Sequence, residues 1–427
     1  IRKSFLVDIL SKYMLSREIT IADFVEKYYK DKVSEDEIIL MRDYFIKMKE
    51  GKIECSHDFY LKLFHILMHH KIIKTPEYDI LMMDESGDIT GVSLEIFKLI
   101  RANKKVMVGD SQQNIYSFNQ TINGFEALSD EGEQLTLSQS FRVSTSLAPY
   151  VKEFCNTYLD PHMDFEGFPY KAMPEPKDIT MFYIARTNSG IISRMIELDL
   201  QGRRYNLTRP VYSIFALPLL LLRLNKTPDS EIREPEFKFL EADMKEWMTN
   251  PDVRKTNESP LAYILSQHSD DTNISSAMNL LRKFSPWQII QTYQNAKSHE
   301  KSSTTYKITI TSAHSSKGLQ ADIVQIEPDL NEALHKVIEK QQNAAKERLK
   351  ADKEIYGNKF EFKYEKHALF NPVEPDMSLL SKDALEEFRL YYVAVTRAKF
   401  QLQHAEWLTS QEVLTTTISM MHSRGNF

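Results

Sequence analysis

Two adjacent acids, Asp84 and Glu85, end the stretch Tyr78-Asp79-Ile80-Leu81-Met82-Met83 and precede Ser86-Gly87-Asp88. A buried strand that delivers Asp-Glu at its carboxyl end is how open α/β sheets place acids in the crevice above the strands. The first acid can hold Mg²⁺ through its water shell. The second can orient or deprotonate a water that attacks a γ-phosphate. Acid pairs after strands also occur as plain solvated turns, and these residues alone leave both readings open.

Further along, Gly109-Asp110-Ser111-Gln112-Gln113-Asn114-Ile115-Tyr116-Ser117-Phe118 offers a second chemistry. Gln113 can reach the crevice of the acids if the two strands are neighbours, positioning water without adding negative charge. Tyr116 and Phe118 can stack on the bases of a single strand, or simply fill the core. Arg142 and Arg397 stand among apolar residues, in contexts that read as helical or turn, where an unpaired guanidinium is expensive. Arginines brought to a shared cleft stabilise phosphoryl-transfer charge; a structural ion pair is the other reading of each. His65 and His69 have the i,i+4 spacing of metal ligands, but no Glu follows His65 and no third ligand is evident.

The elements that must position these residues are legible in outline. Before residue 75, apolar residues recur at three-to-four spacing, as in Phe5, Ile9 and Tyr13, and predict helices. Cys55-Ser56-His57-Asp58 predicts an N-cap for the run Phe59 to Met68. A strand at 78–83, a helix at 93–102 and a strand at 105–110 form a βαβ unit, with parallel strands. A strand at 134–137 then leads towards Arg142 and a helix ending near Leu159. Residues 161–176, rich in Pro, Gly and aromatics, predict a linker. A second α/β unit begins at Asp178, is interrupted by the polar helical stretch 226–303, and resumes with strands at 306–310 and 321–326. Residues 339–366 read as a solvated helix, 384–399 as an apolar helix, and 400–407 as a strand.

Composition narrows the classes. The 427 residues allow two or three domains, and 42% apolar with 27% charged content is that of a soluble globular chain. The net charge of −6 supplies no bulk attraction for nucleic acid, so any such binding needs a local groove. Two cysteines without metal-ligand spacing point to a reducing compartment, the cytoplasm or the nucleus. The most apolar run, Val211 to Leu222, contains Pro218 and is too short to span a bilayer, so no membrane partner is expected.

Taken in order, five segments resemble motifs II to VI of the UvrD/Rep-like superfamily 1 DNA helicases. They are Asp84 to Asp88, Gly109 to Phe118, Gln139 to Arg142, Ser312 to Gln320, and Leu390 to Ala398. Ser56 to Lys62 and Tyr392 to Lys399 resemble the F-box DNA helicase branch most closely, although no F-box is visible. The resemblance covers about residues 55–407. It implies an α/β chain of two RecA-like parallel-sheet domains with helical insertions. Residues 1–74 would be a helical lead-in and 75–165 the first RecA-like domain. Residues 176–225 and 304–427 would form the second, with 226–303 inserted as a helical subdomain.

The same resemblance implies an ATP-dependent helicase or translocase, moving 3′ to 5′ on single-stranded DNA and acting at single-strand/duplex junctions. Protein partners of a replication or repair complex go with that role. Asp84 would hold Mg²⁺, Glu85 would activate water, and Gln113 would couple the γ-phosphate of ATP to DNA. Arg142 and Arg397 would contact that phosphate, and Gln320 would take the place of a ribose-binding Glu. Tyr116, Phe118, His314 and Lys317 would line the DNA track. Gly87 stands where the family usually has Gln, and Asn119-Gln120-Thr121 replaces the usual Arg-Gly-Ala. No Gly-x-x-x-x-Gly-Lys-[Ser/Thr] loop occurs, and such a loop is expected before Ile1. The rival reading is a non-catalytic, helicase-derived DNA-binding or assembly subunit.

Overall fold

The computed structural model describes residues 3–75, 77–115, 121–300, 305–340, 343 and 381–408. Two compact units divide at Thr136 and Leu137.

The first unit opens with helices α1 (Lys3–Leu15), α2 (Ile21–Tyr28), α3 (Glu35–Lys49) and α4 (His57–His69). Each of the last three starts where a hydroxyl can satisfy an orphan amide: Thr20, Ser34 and Ser56 cap them, and Ser34 with Glu37 forms a capping box. Their apolar faces close on a core that includes Ile9, Tyr13, Phe24, Met41 and Phe59. There follow β1 (Glu77–Met83), β2 (Ile89–Thr90), α5 (Gly91–Leu99), β3 (Arg101–Met107), β4 (Thr121–Ile122) and α6 (Gly124–Ala127). Strands β1 and β3 pair in parallel, from Glu77 opposite Arg101 to Met83 opposite Met107. The second strand begins four residues earlier than its apolar run suggests. Polar cross-strand pairs extend it: Arg101 to Glu77 at 3.3 Å and Asn103 to Asp79 at 3.2 Å. Along the other face of β1, Tyr78, Ile80 and Met82 are 45%, 58% and 68% exposed.

The second unit begins with β5 (Gln139–Ser144), α7 (Ala148–Tyr158) and β6 (Glu166–Phe168). Strand pairing thus starts at Gln139, and the expected strand at 134–137 is absent; Leu135 and Leu137 are exposed instead. The stretch expected as a linker contributes β6, which runs parallel to β5. It is also tied down by the Tyr170 hydroxyl, which donates to the carbonyls of Phe141 and Arg142.

Next come β7 (Met181–Ala185), α8 (Asn188–Leu200), β8 (Asn206–Leu207) and α9 (Val211–Lys226). Helices α10 (Leu240–Thr249), α11 (Pro251–Thr256), α12 (Pro260–Gln267), α13 (Thr272–Lys283) and α14 (Pro286–Glu300) follow. The unit ends with β9 (Ile308–Ser312), β10 (Ala321–Ile326), α15 (Lys382–Val395) and β11 (Ala398–Gln403). Five parallel strands form one sheet in the order β11-β10-β7-β9-β8. Strands β7 and β9 are buried over most of their length, as parallel strands covered by helices should be. The run containing Pro218 is α9, which joins two cores. Ile214 and Phe215 pack on the sheet, while Leu220, Leu221 and Leu224 pack among α10, α12 and α13. Among the described residues no helix is long and apolar enough to cross a membrane. Residues 339–366 lie almost entirely outside the described residues.

Candidate functional site

In the first unit the acids and the glutamine lie on two interlocked turns. The ladder between β1 and β3 runs on past the strands: Val108 N donates to Met83 O at 2.8 Å, and Ser86 N to Val108 O at 2.9 Å. The chain then turns sharply. Glu85 has φ +54°, a left-handed conformation that costs a non-glycine residue roughly 1–2 kcal/mol. Strain of that kind collects at functional sites. Both acids are exposed, and Asp84 Oδ1 accepts from Glu85 N at 2.8 Å.

Two glycines make the turns fit. A Cβ on Gly87 would collide with the Asp110 carbonyl, and one on Gly109 would stand 2.7 Å from Ser86 N. Gly87 therefore has a backbone reason to be glycine: no side chain fits there. Gly124 N closes the turn from a third side by donating to Ser86 O at 2.9 Å. Asp110, which the sequence reading passed over, arranges the second turn. Its carboxylate accepts from Gln112 N and from Gln113 Nε2, both at 2.9 Å. An Asp directly before a short 3-10 turn is a recognisable cap signal. The fold thus brings Asp84, Glu85 and Gln113 to one end of the sheet. Tyr116 and Phe118 lie outside the described residues.

This end suits Mg²⁺ bound with a nucleotide. Mg²⁺ is usually held by one or two carboxylates together with substrate phosphates rather than by an all-protein cage. Asp84 is an exposed carboxylate at a strand end, and among the described residues no group of three or more metal-ligating side chains gathers.

In the second unit Arg142 sits on a strand, β5, rather than in the helix or turn its neighbours suggested. Its Nε donates to Gln320 Oε1 at 3.3 Å, joining two residues that are 178 positions apart. Arg397 holds Gln320 from both sides. Its Nη1 donates to Leu319 O at 3.4 Å, and its own carbonyl accepts from Ala321 N at 3.0 Å. The rest of its guanidinium meets Val393 O at 2.8 Å and Thr396 Oγ1 at 3.0 Å, and the residue is only 1% exposed. Arg142 is half-buried and nearer the surface, whereas Arg397 is enclosed.

Residues 313–320 run from the carboxyl end of β9 to the amino end of β10, so one segment links the two strands that flank β7. At its start His314 borders a pocket of about 210 Å³ with Arg186, Glu386, Glu387 and Leu390. Burial, reinforced by the Arg186 charge, lowers the imidazole to about 4, so it is neutral at pH 7. Lys317 is half-buried, and its backbone N donates to His314 O at 3.3 Å. Arg186 itself forks onto Glu387, with Nη2 to Oε1 at 2.6 Å and Nε to Oε2 at 3.0 Å.

Two acids beyond β10 also escaped the sequence reading. Glu327, 4% exposed, takes Arg194 Nε on both oxygens at 3.1 Å. Burial still pushes its carboxyl up to about 7 against the pull of Arg194. Asp329 accepts from Arg186 N at 3.0 Å, Thr187 N at 2.9 Å and Thr187 Oγ1 at 2.8 Å, and a Cβ on Gly190 would collide with its carboxylate. The signal was present: like Asp84 and Glu85, they follow an apolar strand.

Residues 254–405 match the UvrD-like helicase C-terminal domain. The match runs from within α11 past β11 and takes in His314, Lys317, Gln320 and Arg397. It relates this part of the chain to the UvrD-like helicases. A search of curated proteins found no match.

Proposed function

We propose that the protein is an ATP-dependent DNA helicase or translocase that moves 3′ to 5′ on single-stranded DNA and unwinds at junctions. The observation that carries this reading is the interlock of Gly87 with Asp110 and of Gly109 with Ser86. It sets two exposed acids and a pinned glutamine at the carboxyl end of adjacent parallel strands. The match to a helicase C-terminal domain supports the same class. Bound MgATP would supply the γ-phosphoryl group that is transferred to water.

Asp84, exposed at the strand end, would hold the magnesium. Glu85 accepts the proton of the attacking water, and its left-handed backbone sets the direction in which its side chain leaves the turn. Gln113 is oriented by Asp110 and carries no charge that would repel phosphate. Arg142 presents the stabilising guanidinium, and Gln320 orients it while remaining able to bond a ribose hydroxyl. Arg397 acts from within, holding the main chain on both sides of Gln320. His314 and Lys317 would contact the DNA from the second unit, and Tyr116 and Phe118 are the candidates for stacking on bases. Partners in a replication or repair complex, and a reducing cytoplasmic or nuclear setting, complete the reading.

The test is ATP hydrolysis and strand separation by the full-length gene product. Hydrolysis should rise on addition of single-stranded DNA, and duplexes with a 3′ tail should be unwound in preference to those with a 5′ tail. DNA binding with no hydrolysis would instead identify a non-catalytic subunit.

A further inference from the structure

Lys62 is fully buried, yet nothing in the proposed chemistry uses it. It projects from α4 and donates to two main-chain carbonyls just beyond the end of α1, Ser16 O at 3.0 Å and Glu18 O. Its ammonium also lies 4.5 Å above the Tyr13 ring, and the Tyr13 hydroxyl donates to Ile19 O at 2.7 Å. Burying an ammonium is expensive, and a methionine would fill the same volume without that penalty. Burial lowers the Lys62 pKa to about 8, opposed by the carboxylates of Glu18 and Glu95; neighbouring His65, lowered to about 4 chiefly by its own burial, is neutral. What the ammonium contributes is a fixed position for the turn at residues 16–18.

That turn backs the site. A Cβ on Gly91, the first residue of α5, would stand 3.0 Å from Arg17 N and 3.3 Å from Ser16 C. Gly91 directly follows β2, which pairs with β4 and is joined to the Asp84–Asp88 turn. We infer that Lys62 is a positioning residue for the Asp84–Glu85 turn, holding the α1–α2 turn as a backstop for the start of α5. The inference rests on the helicase reading for its effect on catalysis, but not for its effect on the turn.

Two variants test it. Lys62→Met removes the donors and keeps the stem, whereas Gly91→Ala presses on the same turn from the other side with Lys62 in place. Amide hydrogen exchange should quicken about tenfold in residues 84–91 of both variants and stay unchanged in residues 181–200. In the full-length gene product, kcat for DNA-stimulated ATP hydrolysis should fall about 10–100-fold with little change in the KM for ATP. Faster exchange confined to residues 13–20, with kcat intact, would overturn the inference and leave Lys62 a local anchor. Quickened exchange at 84–91, in a protein whose Glu85→Gln variant hydrolyses ATP normally, would uphold the positioning and refute the helicase chemistry instead.

Discussion

Two acid pairs follow parallel strands in this molecule, and they meet opposite fates. After β10, Glu327 and Asp329 are met at once by donors: the Arg194 guanidinium, two backbone amides and the Thr187 hydroxyl. Strand β10 lies between β11 and β7, so its carboxyl end opens into packed protein beside the start of α8. After β1, by contrast, Asp84 and Glu85 stand exposed, and β1 has β3 alone as a strand neighbour among the described residues. An acid beyond a strand becomes structural when burial and donors enclose both its oxygens; an acid exposed at a strand end remains open to solvent. A raised pKa does not by itself mark a catalytic acid. Glu327 has the raised value of a general base, but its ion pair with Arg194 occupies both oxygens.

The largest expected effect would break this contrast if it failed. Glu327→Ala leaves the Arg194 guanidinium with Glu197 as its remaining carboxylate partner and should cost about 3 kcal/mol in urea unfolding. Glu85→Gln, at an exposed turn, should change stability by less than about 0.5 kcal/mol. Equal losses would mean that the β1 turn is also packed, and that its exposure is not what distinguishes it.

A smaller effect sharpens the comparison through pH. His314 in the second unit and His65 in the first are both lowered to about 4, each chiefly by burial. Their folded forms hold neutral imidazole, while the unfolded chain protonates near 6.5. Each therefore contributes stability that is present above 6.5 and lost as pH falls towards 4. Between pH 8 and pH 5 the loss should be about 2 kcal/mol per histidine. His314→Gln and His65→Gln should each flatten the slope of unfolding free energy against pH. An unchanged slope in either variant would show that its histidine is already solvated in the folded state.

Much of the architecture was legible because apolar periodicity marks it. The parallel βαβ unit around Asp84, the strand at 321–326 and the Ser56 cap could all be read from local pattern. The rest depends on contacts made far along the chain. The start of β3 is written in polar cross-strand pairs, which hydrophobicity does not reveal. Arg142 belongs to a strand because its partner, β6, comes from a Pro- and Gly-rich stretch that reads as a linker. Arg397 could be marked as costly to bury, but not as enclosed, since Leu319 approaches it only in the tertiary fold. Gly87 departs from the usual Gln of its motif, and the reason, the Asp110 carbonyl packed against it, exists only in the tertiary fold.

The central claim is that Glu85 activates water. The most direct measurement is single-turnover ATP hydrolysis by the Glu85→Gln variant of the full-length gene product, with single-stranded DNA present. Affinity for ATP and for DNA should be retained, while the hydrolysis step slows by about 10²-fold or more. Hydrolysis at the wild-type rate would contradict the account and leave Glu85 a strained turn residue without a catalytic part.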